Sequence, residues 1–523
     1  MTHDTIIIGS GFGGAVSACR LATAGRDVLV LERGRRWTPE SYPRDIGDAW
    51  IWDQDEPHEQ NGWIDLRVMD QMWIAQGAGV GGGSLIYANI SIDAPPEMLD
   101  VGWPSPISAS ELAPYYAMVA DMLKPSPIPD GQLTKRFELM RDAANAIGEG
   151  SRFRKVDLAV TFDPQWNYDL PDCQSEKHSK RKENEQGRMQ GTCIHCGNCD
   201  IGCTVQAKNT LDLNYLAAAE DAGATIQPLA LVTHLSDLGD RWRVHYDDLS
   251  QGKREQRTVE ARQVILAAGS LGSTEILLRS RDQYKSLSGL SPALGKGWSS
   301  NGDFLTPAFY EQRQIDPTIG PTISSAIDFL DGSKDGARFF VEDGGFPNFL
   351  GNYVKARLKR RGIGWFRKRM LRGLLAGMAH NPLENMMPWF GQAIDGGDGQ
   401  LYLGRPWFMP WLTILKLDWD PARSELGVGG LAAMHEKLSK ATGGEPKVPF
   451  SWTVFRNLVT PHPLGGCNMA SGPGVGVVDQ SGAVFGQSNL YVLDGSIVPR
   501  PIGLNPSKTI AALAERSCEV MLK

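Results

Sequence analysis

The sequence predicts an α/β fold in which a Rossmann-like dinucleotide-binding domain is interrupted by an inserted α+β domain built on an antiparallel sheet. Three observations predict it: a β-α-β unit at the N-terminus, an apolar strand ending in small residues at Val264–Gly269, and a return to the first domain's pattern from Trp452 onward. The N-terminal unit is complete. Thr5–Ile8 is a short apolar run suited to a buried parallel strand. Gly9-Ser10-Gly11-Phe12-Gly13-Gly14 fits G-x-G-x-x-G; a helical stretch follows over Ala15–Ala24, then a second strand over Asp27–Leu31 ending at Glu32. In this pattern Gly9 permits the tight turn, Gly11 lets a pyrophosphate approach the backbone, and Gly14 lets helix pack on strand. The helix N-terminus favours phosphate, and Glu32 is placed to accept from ribose hydroxyls. A plain glycine turn explains neither Glu32 nor the three glycines in register.

The chain has 523 residues, enough for two large domains. A net charge of −7 and a pI near 5.8 argue against nucleic acid as partner. No run of eighteen apolar residues suggests a membrane-spanning helix. The dinucleotide turn begins at residue 9, which leaves no room for a signal peptide, and four of the eight cysteines crowd into eleven residues. A cytoplasmic location is expected.

Arg33–Glu59 reads as an excursion from the first domain. Gln76–Ser84 is a second glycine-rich stretch, flanked by apolar residues at Val68–Ile74 and Leu85–Ile92, and reads as a buried loop exposing backbone N–H groups to a ligand. Helices are expected over Ser110–Leu123, with Ser110 as cap, and over Thr134–Ile147. An exposed loop follows at Asp172–Gln190, then an amphipathic helix over Asn209–Ala222. Ala224–Leu235, Arg241–Asp247 and Arg257–Ala261 read as a meander, and a helix starts at Ser273. Phe339–Val341 and Leu412–Leu417 read as strands of a different sheet. Tyr353–Pro382 carries nine Lys and Arg interleaved with Trp365, Phe366 and several Met and Leu, without an acid. Such a segment can lie on an anionic membrane at its inner face; it can equally be a solvated helix covering the second domain.

Near the C-terminus, His462 stands between Pro461 and Pro463, ahead of Gly465-Gly466. Leu490–Leu493 is a strand ending at Asp494-Gly495, and Asn505-Pro506 opens a helix over Ser507–Leu522. With Gly9–Gly14, Glu32, Gly77–Ser84 and Ala267–Glu275, these stretches resemble the glucose–methanol–choline (GMC) family of FAD-dependent alcohol oxidoreductases, most closely its cholesterol oxidase branch. The resemblance implies FAD. It places ADP on Gly9, Gly11, Gly13, Gly14 and Glu32, and adenine near Val232 and Ala268. Gly77 would also bind the cofactor, and the flavin ring would lie along Gly82, Gly83, Ser84 and Tyr87, with Asp494 and Gly495 beside the ribityl chain and Asn505 and Pro506 beside the ring. It makes His462 and Asn505 the catalytic pair. It implies an FAD-binding domain of 1–104, 191–305 and 455–523 and a substrate-binding domain of 105–190 and 306–454. Two features depart from the steroid-oxidising enzymes: Ser507 stands where an aromatic residue is expected, and their additional acid has no evident counterpart in the substrate domain.

Cys193-x2-Cys196-x2-Cys199-x3-Cys203 has the cysteine spacing of a bacterial ferredoxin run without its trailing proline. An iron–sulfur cluster with Cys203 or Cys173 as fourth ligand, a zinc site, and metal-free thiols all fit this spacing. The expected function is oxidation of the CH–OH group of a bulky apolar alcohol, sterol-like or long-chain, by hydride transfer to flavin N5, with oxygen or an electron-acceptor protein or quinone as the onward acceptor. The alternatives are a cluster-containing dehydrogenase serving a protein or quinone acceptor, and oxidation of a sugar-like alcohol.

Overall fold

The computed structural model describes residues 2–45, 47–69, 71–349, 369, 383–406, 411–449 and 458–523. The basic segment 353–382 lies outside them, apart from Arg369.

The apolar runs form adjacent parallel strands β1 (Thr2–Ile8) and β2 (Val28–Leu31), with Ile6 opposite Leu29 and Ile8 opposite Leu31. Helix α1 (Phe12–Thr23) crosses between them, and ten of its twelve residues are buried. Strand β3 (Thr225–Gln227) adds in parallel to β2, and β4 (Ala230–Asp237) and β5 (Trp242–Asp248) pair antiparallel. Strand β6 (Glu255–Leu266) is a single twelve-residue strand where the sequence suggests two. Its polar half pairs antiparallel with β5. Its apolar half pairs in parallel with β1 on one side and β7 (Leu490–Val492) on the other. The change in hydrophobic pattern along β6 marks its passage from the solvated meander into the doubly covered core. The sheet order is β3-β2-β1-β6-β5-β4, with β7 also on β6.

Helix α2 (Gly269–Leu278) leaves β6 four residues before the expected start at Ser273. Helix α3 (Ser507–Leu522) has the expected bounds and packs on α1. The contact is fixed by Glu515, whose buried carboxylate accepts from Arg20 Nε (2.6 Å), Arg20 Nη2 (2.7 Å) and the Tyr215 hydroxyl (2.6 Å). This bidentate pair sets the height at which α3, and so the loop ahead of it, stands above the sheet.

A second sheet is wholly antiparallel. Its order is Glu445–Pro446, Phe304–Phe309, Met386–Ala393, Phe339–Asp343, Ser325–Asp328 and Phe153–Lys155. Ile414–Asp418 belongs instead to a three-stranded sheet with Lys296–Trp298 and Gly399–Gly404, so the two strands read from this region lie in separate sheets. A four-stranded sheet sets Leu458–Thr460 parallel to Met72–Gly77. Locally, the helix over Ala109–Leu123 is capped by Ser108, whose hydroxyl accepts from Glu111 N, rather than by Ser110. The expected helix 209–222 is shorter: a 3-10 turn at Leu211–Leu213 and an α-helix at Tyr215–Asp221, broken at Asn214.

Replacing Glu515 by Ala strands Arg20, which keeps about a quarter of its side chain exposed. A destabilisation of about 2–4 kcal/mol is expected, discounted for that exposure, and is read from urea denaturation midpoints of holoenzyme and variant. An unchanged midpoint removes the pair from the account of how α3 is seated.

Candidate active site

Four chain segments converge because two strand pairs deliver them to the same place. β1 and β6 end beside each other, delivering Gly9–Gly14 and Ala267–Ala268. Met72–Gly77 and Leu458–Thr460 run in parallel, so the second glycine loop and His462 leave their sheet at the same end. A cavity of about 980 Å³ lies among these ends. Of the expected residues, Gly9, Gly11, Gly13, Glu32, Gly77, Gly82, Gly83, Tyr87, Val232, Ala268, His462, Asp494, Gly495, Asn505 and Pro506 line it. Gly14 and Ser84 do not. Gly14 packs on Gly9, and the Ser84 hydroxyl donates to Gly81 O (2.7 Å) and accepts from Leu211 N (3.1 Å).

The glycines divide into two kinds. A Cβ on Gly13 would fall 1.6 Å from Leu493 O, and one on Gly14 2.1 Å from Gly9 O, so these permit close backbone packing. A Cβ on Gly11 would meet only Gly82 Cα, at 4.0 Å, and one on Gly83 would meet nothing. Both line the cavity, so what their bare backbones admit is a ligand. The first turn of α1 has no side-chain cap, leaving its N–H groups free for an anion there. Glu32 accepts from Ser10 N (3.1 Å), Ser10 Oγ (2.6 Å) and Gly34 N (2.9 Å), three of its roughly four lone-pair sites. One remains for a ribose hydroxyl. Ser10 Oγ also accepts from Gly81 N (3.1 Å), tying the two glycine loops together. Asp494 has a different task. Its carboxylate accepts from Gly269 N, Ser273 Oγ, Ser496 N and Ser496 Oγ, clamping the start of α2 to the loop after β7. This cradle fits a flavin adenine dinucleotide.

At His462 the structure adds residues that the sequence did not single out. His462 Nδ1 lies 2.8 Å from Asp303 Oδ1, and Asp303 is fully buried. The Thr460 hydroxyl donates to Asp303 Oδ2 (2.5 Å) and accepts from His462 N (2.9 Å). Asp303 closes the turn Ser299–Asp303. In the same turn, Asn301 accepts from Ile502 N (3.0 Å) and Gly503 N (2.9 Å) and donates to Leu504 O (2.8 Å). One turn therefore holds His462 and the residues leading to Asn505. The Asn301-Gly302 dipeptide was the readable signal of a turn.

A buried acid, Glu342, stands beside Asn505 and accepts from Gln392 Nε2 (3.0 Å). Burial pushes its pKa up to about 8, against hydrogen bonds from Gln392 and Asn505; Asp303 and Asp343 push the same way as burial. Asp343 is paired with buried Arg136. Among the described residues, Glu342 Oε1, Gln392 Oε1 and Asn505 Oδ1 are buried without a partner. Three acceptors thus lack donors; a protonated Glu342 supplies one hydrogen.

The arrangement is that of a flavin-dependent alcohol oxidoreductase, and the sequence comparisons agree. The GMC oxidoreductase profiles match residues 3–287 and 398–514. A cholesterol oxidase from Acinetobacter baumannii is 31% identical over 540 residues, covering 98% of this chain and 93% of that protein. Paromamine 6'-oxidase from Streptomyces fradiae is 25% identical, covering 99% and 91%. The crystal structure of pyridoxine 4-oxidase from Mesorbium loti shares the fold, with a TM-score of 0.62 at 16% identity over 99% of each chain. The chain belongs to the GMC oxidoreductase family, and its cofactor is FAD.

Gly11→Ala is expected to fold and to retain flavin about tenfold less tightly, a loss of ~1.4 kcal/mol, as measured by flavin release on dilution. Gly13→Ala is expected not to fold. Wild-type flavin retention in Gly11→Ala would move the pyrophosphate away from the first glycine loop.

Proposed function

We propose that this protein oxidises the CH–OH group of a bulky apolar alcohol, sterol-like or long-chain, to the carbonyl. The reading rests on one observation: His462 and Asn505 line the same cavity as the open glycines Gly11 and Gly83, His462 being held by Asp303 and Asn505 standing beside Glu342. Bound FAD supplies the hydride acceptor. His462, with Nδ1 held by Asp303, keeps Nε2 free to take the hydroxyl proton. The Asn505 amide N–H can donate to the hydroxyl oxygen, which fixes it while its proton goes to His462. The uncapped N-terminus of α3 adds a positive dipole end beside Pro506. Leu305, Ile323 and Phe390 contribute apolar lining, which favours a hydrocarbon body over a sugar. The cholesterol oxidase relative points the same way; the paromamine oxidase relative keeps an aminoglycoside-like alcohol as the competing reading.

The test is steady-state turnover across a panel of sterols, long-chain alcohols and amino sugars. Apolar alcohols are expected to give the highest kcat/KM. His462→Ala is expected to lose about 10²–10⁴-fold with the apolar substrates. Asp303→Asn is expected to lose about ten- to hundredfold, chiefly in kcat. Faster turnover of amino sugars than of any apolar alcohol would reject the substrate class, and full turnover by His462→Ala would reject the base.

Glu342 gives the pH dependence. Its neutral form, which holds the hydrogen bond, dominates below its raised pKa of about 8. Activity is expected to fall as pH rises through that value. Its contribution to stability has the same sign: present in full below the ordinary 4.5, and lost as pH rises through about 8. Glu342→Gln keeps a donor without titrating, so the alkaline limb of kcat/KM should disappear. Persistence of that limb in the variant would assign it to another group.

A further inference from the structure

Among the described residues, no three His, Cys, Asp or Glu side chains are arranged to hold a metal ion, so the iron–sulfur cluster and the zinc site expected of Cys193, Cys196, Cys199 and Cys203 find no place in that loop. None of the four cysteines lines the cavity. Asp200, between Cys199 and Ile201, does.

Asp200 sits on a 3-10 turn, Cys199–Ile201, whose carbonyls are held by other side chains. Cys199 O accepts from Lys208 Nζ (2.7 Å), Asp200 O from Trp63 Nε1 (3.0 Å), and Ile201 O and Gly202 O from Arg44 (2.5 Å each). Four successive carbonyls are thus satisfied, and the turn is fixed without help from the Asp200 side chain. The carboxylate is left nearly bare. Among the described residues it takes one hydrogen bond, from the Thr322 hydroxyl to Oδ1 at 3.3 Å. Burial pushes its pKa up to about 6, against Lys208, Thr322 and Arg136, so it is ionised at neutral pH. Neither cation pairs with it: Lys208 donates to Leu85 O and Cys199 O, and Arg136 to backbone carbonyls and to Asp343. A carboxylate has about four acceptor sites, so most of those on Asp200 stay open.

The part of the cavity that Asp200 faces belongs to the antiparallel sheet. Its partner Thr322 and the adjoining Ile323 lead into the strand Ser325–Asp328, and Gly344 and Gly345 leave the strand Phe339–Asp343; all four line the cavity. The second of these strands also carries Glu342 to Asn505. One charged acceptor therefore stands in the wall to which Leu305, Ile323 and Phe390 give an apolar lining. A buried carboxylate without its donors is costly, and a donor on the ligand offsets that cost. Lys208 and Arg136 already place two positive charges near it, which favours a neutral donor over an ammonium.

We propose that Asp200 is a specificity residue of the alcohol site. It accepts a hydrogen bond from a second hydroxyl of the substrate, so the preferred substrate is an apolar body with two hydroxyls, one oxidised at His462 and one held at Asp200. This rests on the apolar-alcohol reading of the same cavity.

The test is kcat/KM, on the flavin-replete full chain, for linear α,ω-diols against primary alcohols of the same chain length, and for a sterol against its side-chain hydroxylated form. A diol preference of about tenfold is expected, beyond the factor that two equivalent ends give by themselves. It should appear at one span of the series, because both contact points are fixed, and mainly in KM, because the second hydroxyl is bound alike before and during oxidation. Asp200→Leu is expected to abolish the preference, and Asp200→Asn, which keeps one acceptor, to retain part of it. Both variants should show the wild-type flavin absorption spectrum. Equal kcat/KM for diols and mono-alcohols in the wild type overturns the proposal and leaves the apolar-alcohol reading standing. So does an equal loss on both substrates in Asp200→Leu, or a shifted flavin spectrum, since either would place the action of Asp200 on the flavin or the fold. A matching amino alcohol that outperforms the diol would overturn the second hydroxyl in favour of an ammonium. Turnover of amino sugars alone would defeat the apolar-alcohol reading and the proposal with it.

Discussion

The turn Ser299–Asp303 is the constraint on which the site depends. It receives His462 through Asp303 and Thr460, and the approach to Asn505 through Asn301. Ser300 O also lies 2.8 Å from the Thr460 hydroxyl, which has one hydrogen to share between it and Asp303. Gly302 has φ of +64°, and a Cβ there would fall 2.3 Å from Ala393 O, so the turn is pressed against the strand that carries Gln392. Two loops from distant parts of the chain are thereby referred to one rigid point. Hydrogen bonds to a buried carboxylate are among the stronger ones available, and a missing partner would leave Asp303 uncompensated. The same contacts that fix the catalytic geometry therefore also maintain the fold.

Around that point the protein accepts an unusual density of buried carboxyls: Asp303, Glu342, Asp343, Asp395 and Asp494. Their partners differ, Asp303 being held by His462 and Thr460. Asp343 has Arg136; Asp395 and Asp494 are surrounded by hydroxyl and amide donors; Glu342 has one clear donor and a raised pKa. The least satisfied of the five is the one beside Asn505. Incomplete satisfaction beside the cavity-lining Asn505 is where a bound substrate has something to gain.

The nucleotide half of the site was legible because its signals are local. Glycine spacing, an apolar strand and a terminal acid occur within thirty residues, and Asn505-Pro506 announces its own helix. The rest is held by long-range partners. His462 and Asp303 are 159 residues apart, and no local pattern links them. Glu342 sits in the fully buried strand Phe339–Asp343, where charge normally argues against burial. β6 was read as two strands because its pairing changes hand midway, and Ser108 lost to Ser110 as cap because two serines stand within two residues.

A double-mutant cycle tests most directly whether one turn sets the catalytic residues. Anaerobic rapid mixing with an apolar alcohol would measure flavin reduction in wild type, Asn301→Ala, Asn505→Ala and the double variant. If Asn301 acts by positioning Asn505, the double variant should be no slower than Asn505→Ala alone. Losses that simply add would show that the two residues act independently, and would contradict the account.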